Sequence, residues 1–451
     1  MSTVSRSTSE ASRHTTHSGK KDPGRAAVRG GILGNYADQF DIFVPIVTLA
    51  PALIYFQPAG TSASTKALVA AAIFASTMLA RPLGSTLFGH FADKVGRRRM
   101  TMIAVTGFGL CTLAIGLLPG YQNIGYWAVG ILVGLRFIGG IFLGGEYVAA
   151  VPLAMEWSPK QRRGLLSGLI TSMSPLAYAT IAGLSLLLLS VMSSSGLDSA
   201  YVQWGWRIPF IIGGLLGLSL LLLYWRAVEE APAFDPSESA RSPLRELLTG
   251  PYRKDLLQVF VMMTGIWLLA NLGLAVLPSM LLNVVELPAR TSSVVLVVSS
   301  VVSVGTLIGC GLLSQRIGRR VTILGIGVAA AAVASSSYVV LAVSSVRSLA
   351  LIIVLTTVTQ ALSIAVYGPL AAYLSERFPA RVRATGYGVG YSLALIVPSF
   401  YAVYVGGLAT VFGAAAPAVL IALGGILVVV GAALGPETKD VDMSVATKEA
   451  E

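Results

Sequence analysis

The sequence predicts an all-α membrane protein of twelve transmembrane helices in two six-helix halves, on three observations. Hydrophobic residues make up 55% of the 451 and charged residues 12%, with a mean hydropathy of +0.76. That is more apolar surface than a soluble domain of this size keeps from water. Apolar runs near twenty residues recur from Ile32 to Leu434. At about 1.5 Å per residue each is long enough to cross a hydrocarbon core of roughly 30 Å. A charged pattern also occurs twice in register: Gly89 to Arg99 leads to Glu156, Pro159 and Arg163, and Gly311 to Arg320 leads to Glu376, Pro379 and Arg383. The two copies are offset by 222 residues at the glycine and 220 at the glutamate.

In chain order, residues 1–30 are rich in Ser, Thr and Arg and have no continuous apolar stretch, so a disordered tail is expected there and not a cleaved signal. The N-terminal bundle, 31–225, holds spans at about 32–56, 67–90, 100–119, 126–152, 164–192 and 207–225. Residues 226–255, with Pro232, Pro236, Pro243 and mixed charges, read as a linker. The C-terminal bundle, 256–434, holds spans at about 256–283, 291–314, 321–343, 348–374, 384–411 and 414–434, and 435–451 form a second tail. Pro45, Pro51, Pro175, Pro278, Pro369 and Pro398 fall inside spans, where each removes a helix hydrogen bond and promotes a kink. Gly139, Gly140, Gly144 and Gly145 in the fourth span, and Gly386, Gly388 and Gly390 in the eleventh, permit close helix approach.

Of the 32 Lys and Arg, 26 fall on one side of these spans, four on the other (Lys66, Arg207, Arg290 and Arg347), and Arg81 and Arg136 lie within them. The positive-inside rule then puts both termini in the cytoplasm. The net charge of +11 describes loops facing anionic lipid headgroups, not a nucleic-acid footprint. Cys111 and Cys310 sit in spans without ligand spacing and read as packing residues. Three His, two of them in the tail, give no metal constellation, and no Walker loop is present to power a pump. No enzyme activity, cofactor or metal is expected, and an ion gradient has to supply the energy.

Asp93 ends the second span beside Lys94, Arg97, Arg98 and Arg99. A carboxylate there can bridge to a neighbouring helix N-terminus or to cations and hold the ends of the two halves together. Glu156 with Arg162 or Arg163, and Glu376 with Arg381 or Arg383, are expected to add ion pairs on that face. Arg316 and Arg319 repeat the basic loop. Gln315 stands where Asp93 stands in the first copy, so the closure is expected to be asymmetric. The alternative is that these charges only fix topology.

Charges within spans are costly and face partners or water. Asp38 and Asp41, three apart, share a helix face. Arg136 and Glu146, ten apart, lie on similar faces but roughly 15 Å apart along the axis and cannot pair with each other. Glu146 reads equally as a proton relay or a structural acid, and Arg81 as a substrate contact or a brace for the loop that follows. Guanidinium suits a carboxylate ligand, which makes Arg81, Arg136 and Arg207 candidates, with Arg207 better placed as a clamp near the surface. Asn271, Tyr367 and Tyr391 are the binding candidates of the second half; Tyr387 and Gln360 are further polar groups in its apolar spans.

Gly89-x-x-x-Asp93-Lys94-x-Gly96-Arg97-Arg98-Arg99 resembles the signature loop of the major facilitator superfamily, and Pro436-Glu437-Thr438-Lys439 resembles the close of its sugar-porter and metabolite-symporter branches. More narrowly, Arg81-Pro82-Leu83-Gly84, Arg136 to Glu146, Gly205 to Phe210 and Glu376-Arg377-Phe378-Pro379 resemble the metabolite:proton symporter family of α-ketoglutarate, shikimate, citrate and proline/betaine permeases. The resemblance runs from Gly34 to Lys439 and implies the major facilitator fold, alternating access by rocking of the two halves, proton coupling, a bacterial cytoplasmic membrane and a single working polypeptide. It also implies a coupling pair between an acid of the first span and an arginine of the fourth, here Asp41 and Arg136. One departure is that Gly34-Asn35-Tyr36-Ala37-Asp38-Gln39-Phe40-Asp41 replaces that family's Gly-Asn-x-x-Glu-Trp-Tyr-Asp. Gln39 stands for the indole, which implies a changed pocket.

The leading expectation is proton-coupled uptake of a small organic anion, an aromatic acid or a di- or tricarboxylate. Uptake of a zwitterionic osmolyte such as betaine or proline comes second. Efflux comes third, because 165–189 lacks the Gly-rich run ending in Gly-Pro that marks many exporters. A nontransporting receptor is the alternative outside the class and calls for a soluble signalling tail after Pro436.

Overall fold

The computed structural model describes residues 23–58, 60–61, 63–194, 196–230, 243–343 and 348–443, and every regular element among them is a helix. Residues 1–22 of the first tail, 444–451 of the second and 231–242 of the linker lie outside the described residues. The spans of the first half are Pro23–Thr48, Ala63–Val95, Arg97–Gly116, Trp127–Glu156, Lys160–Val191 and Tyr201–Ala227. Those of the second are Arg253–Asn283, Ala289–Ile317, Arg319–Val343, Leu349–Arg377, 383–412 and Ala416–Leu434. Nine stretches among the described residues are long and apolar enough to cross a membrane, the last of which, Ala380–Leu434, holds the final two spans. The first and second helices, Pro23–Thr48 and Ala63–Val95, complete the twelve.

The boundaries depart from expectation where proline and charge decide them. The first helix is already formed at Pro23, the first described residue, so it reaches into the expected tail. It stops at Thr48, and Pro51 opens a short 3₁₀ turn, Ala50–Tyr55. Pro278, Pro369 and Pro398 likewise fall at the starts of helical pieces, after breaks in the seventh, tenth and eleventh spans. Among its described residues the expected linker holds a short helix, Pro243–Thr249.

The second span packs on the fourth, the third on the fourth and sixth, and the seventh on the twelfth. The halves meet where the second span packs on the eleventh and the fifth on the eighth. Duplication persists at atomic detail. Gly96 and Gly318 both open the basic loop at φ 108°. Glu230 accepts the backbone N–H groups of Arg97 and Arg98, and Glu437 those of Arg319 and Arg320, so one carboxylate caps the third span and another the ninth. Arg98 then donates to the carbonyls of Tyr224 and Trp225, as Arg320 does to those of Ala432 and Ala433.

Candidate functional site

A cavity of about 560 Å³ lies between the halves, and its lining extends toward the end opposite the basic loops. Aromatic rings dominate its floor. Tyr147 of the fourth span and Tyr391 of the eleventh approach to 4.5 Å between centroids, and Trp267 meets Tyr391 at 5.0 Å and Tyr367 at 6.2 Å. The Trp267 indole donates to the Tyr391 carbonyl, and Asn271 to that of Pro398, so the seventh and eleventh spans fix each other beside the cavity. Asn35, Gln39 and Ser174 supply polar groups from the first half, with Ser174 donating to the Gln39 amide oxygen at 2.7 Å. No charged side chain lines it among the described residues.

The charges lie behind that lining, in the core of the first half. Arg136 donates to Asp41 at 2.7 Å, and Thr112 donates to the other oxygen of the same carboxylate. Arg81 donates to Asp38 at 3.2 Å, and Gln39 to the same oxygen at 2.9 Å. All four ionic groups are 0–2% exposed, as is Glu146. Thus Arg81 and Arg136, expected as substrate contacts, are each held by an aspartate outside the lining. Asn271, Tyr367 and Tyr391 do line it. Arg207 is a clamp at the far end, donating to the Gly116 carbonyl and the Tyr55 hydroxyl and lying over the Trp206 ring.

At the basic face the halves are sealed. Asp93 accepts from the backbone N–H groups of Ala384 and Thr385 and from the Thr385 hydroxyl, at 2.7–3.0 Å, which caps the N-terminus of the eleventh span. Its counterpart Gln315 accepts the Gly164 N–H at 2.9 Å and caps the fifth span. Burial pushes the Asp93 carboxyl, in the last turn of the helix Ala63–Val95 and past the apolar stretch that ends at residue 90, up to about 6, with Arg97 and the three Ala384 and Thr385 donors opposing. Glu156 joins Arg97 of its own half to Arg383 of the other. Arg97 also donates across the seam to the Ala380 carbonyl.

Several expected gate partners change. Glu156 pairs with Arg97 and Arg383, not with Arg162 or Arg163, because Arg383 at the start of the eleventh span points across the seam. Glu376 pairs with Arg319 at 3.2 Å and more loosely with Arg163 at 3.9 Å, not with Arg381 or Arg383. Arg163 bonds the Val441 carbonyl. Arg98 ties the third span to the sixth within one half, and the exposed Arg316 offers its carbonyl to Lys439. Tyr147, Trp267, Thr385 and Glu230 were not singled out from the sequence. The clearest available signal was Glu230, which follows the sixth span much as Glu437 follows the twelfth.

The pattern described as Major Facilitator Superfamily matches residues 37–400. The inner membrane metabolite transport protein YhjE of Escherichia coli (strain K12) is 30% identical over 90% of this chain and 93% of its own length. The alpha-ketoglutarate permease of the same organism is 31% identical over 82% and 83%. The proline/betaine transporter of Salmonella typhimurium is 26% identical over 83% and 75%. Among solved structures, the proton:xylose symporter XylE bound to 6-bromo-6-deoxy-D-glucose superposes with a TM-score of 0.69 at 18% identity, covering 94% of this chain and 98% of that one.

Proposed function

The chain belongs to the Major Facilitator Superfamily, and we propose that it is a secondary active transporter taking up a small organic anion with protons by alternating access. It is a multi-pass membrane protein and not an enzyme. The observation that carries the reading is an aromatic cavity between two halves that hydrogen bonds and ion pairs join at the basic face. Lys and Arg accumulate on the cytoplasmic side of short loops, so the sealed end faces the cytoplasm and this state is open outward. Substrate enters between Tyr147, Trp267 and Tyr391, the seal of Asp93, Glu156 and Arg383 opens, and the halves rock about the cavity.

The anion assignment rests on Arg81, whose Nε and Nη1 carry no hydrogen-bond partner and whose charge reaches Tyr147 and Tyr391. A buried guanidinium with an unused edge behind a tyrosine pair favours a carboxylate on the other side. The α-ketoglutarate permease among the relatives supports that class. Proton coupling is assigned to Asp41 and Arg136: the arginine stays charged while the aspartate exchanges a proton as its surroundings change.

The aromatic, uncharged lining favours one second reading, because ring faces attract a quaternary ammonium. That fits a betaine-like zwitterion and the proline/betaine relatives. Uptake of labelled dicarboxylate, aromatic acid and betaine into liposomes holding the purified protein decides between them. Carboxylate uptake that betaine does not inhibit supports the first; betaine uptake alone replaces it with the second.

A further inference from the structure

We propose that Glu146 is a proton-binding site separate from the Asp41–Arg136 pair, and that it holds its proton in this outward-open state. The proposal deepens the transport reading and rests on it for its role in coupling, while the bound proton is argued from the buried charges themselves.

The core of the first half buries three carboxylates, Asp38, Asp41 and Glu146, with two guanidiniums, Arg81 and Arg136. Each aspartate has its arginine and a second donor, as described above. Glu146 has neither: both of its oxygens are buried without a hydrogen-bond partner, and the residue is 1% exposed. An ionised carboxylate in that position would be an isolated buried charge, which takes up a proton before it bears the desolvation cost. One proton on Glu146 also makes the five-group cluster neutral.

The surroundings are those of a neutral acid. Gly34 of the first span lies against the carboxyl, and a side chain there would fall on its Oε1, so the glycine reserves the space. The ionisable groups around it are Arg81 of the second span, Asp38 of the first, Tyr224 of the sixth and Tyr387 of the eleventh. The Tyr224 phenol oxygen has no hydrogen-bond partner among the described residues. Arg81 is the only cation in this set, and its free Nε and Nη1 are available to an ionised Glu146. Loss of the proton therefore draws Arg81 from sole service of Asp38 toward a shared position between two carboxylates.

That shift is connected to the cavity. Tyr147, next in sequence to Glu146, and Asn35, next to Gly34, both line it, and the Tyr147 ring packs tilted against Tyr391 of the other half. Rocking of the halves separates that tyrosine pair and changes access to Glu146 without touching Asp41, whose two oxygens are held by Thr112 and Arg136.

Infrared absorption of the full-length protein in lipid at neutral pH tests this. A protonated carboxyl without a strong hydrogen bond gives a carbonyl stretch above the carboxylate and amide bands, and it shifts in D₂O. The expected result is such a band in the wild type, its loss in Glu146→Gln, its retention in Asp41→Asn, and a displaced band in Gly34→Ala. Glu146→Gln mimics the protonated acid, so its melting temperature should match the wild type. If that variant does not fold, Glu146→Asp should keep a shifted band. Absence of the band from the wild type, or its survival in Glu146→Gln, would overturn the proposal. The readout involves no transport, so it fails or succeeds independently of the substrate reading.

Discussion

Gly164 of the fifth span and Gly311 of the eighth meet backbone to backbone across the seam between the halves: a methyl on Gly164 would stand 2.5 Å from the Gly311 carbonyl, and one on Gly311 would fall on the Gly164 carbonyl. Gly311 is the repeat of Gly89, which lies against Ala384 and Thr385 of the eleventh span with a Cβ clearance of 3.1 Å. The two crossings that close the basic face are thus related by the duplication, and the one between the fifth and eighth spans is the tighter.

Gly164→Ala should open that face. The added methyl meets a backbone carbonyl that cannot rotate away, and overpacking of this kind costs on the order of 1–3 kcal/mol. That is roughly a five- to 160-fold shift in the ratio of closed to open molecules. Double electron–electron resonance between spin labels on the two halves at the basic face should show a longer-distance population. Gly89→Ala, with more clearance, should shift it less.

Glu156→Gln should act on the same equilibrium by another route. The carboxylate holds Arg97 and Arg383 together, and removing one partner of a buried pair costs about 3–5 kcal/mol. Labelling of cysteines placed below the seal should become faster in the variant, by about a hundredfold where opening limits the rate, and wild-type rates there would contradict the role given to Glu156.

Closure should depend on pH through Asp93. Sealed, its carboxyl is raised by burial from 3.8 to about 6; opened to water, it returns to its ordinary value. The proton therefore binds the closed face more tightly. The extra stability of closure is complete below about pH 4 and is lost as pH rises through 6, with no dependence above that. The spin-label distances should follow that curve, and Asp93→Asn should flatten it. The Gln315 arm of the seal has no proton to exchange.

The duplication, the twelve spans and the residues of the seal were legible because charge in an apolar chain is scarce and the repeat shows which charges recur. Asp93 at a helix N-terminus followed from the same reasoning. The partners across the seam did not: Arg383 was close in sequence to Glu376 but joins Glu156, since which half a side chain faces depends on helix rotation and not on spacing. The cavity was read least well. Its rings, Tyr147 and Trp267 among them, look like ordinary apolar positions in sequence, whereas Arg81 and Arg136, conspicuous there, are turned away to Asp38 and Asp41.

Asp41→Asn should separate exchange from accumulation. Arg136 loses its charged partner, so uphill uptake driven by a proton gradient should fall to background while substrate counterflow persists. Arg136→Lys keeps the charge but loses the planar fork and should impair accumulation less. Intact proton-driven accumulation in Asp41→Asn would show that this pair does not carry the coupled proton.

The most direct test is proton movement itself. Liposomes containing the purified protein and a trapped pH indicator are given a carboxylate outside, with no imposed gradient. Symport predicts acidification of the lumen that starts with substrate, saturates with its concentration and is abolished by a protonophore. Carboxylate entry with no change in lumenal pH, or acidification evoked by betaine and by no carboxylate, would contradict proton-coupled uptake of an organic anion.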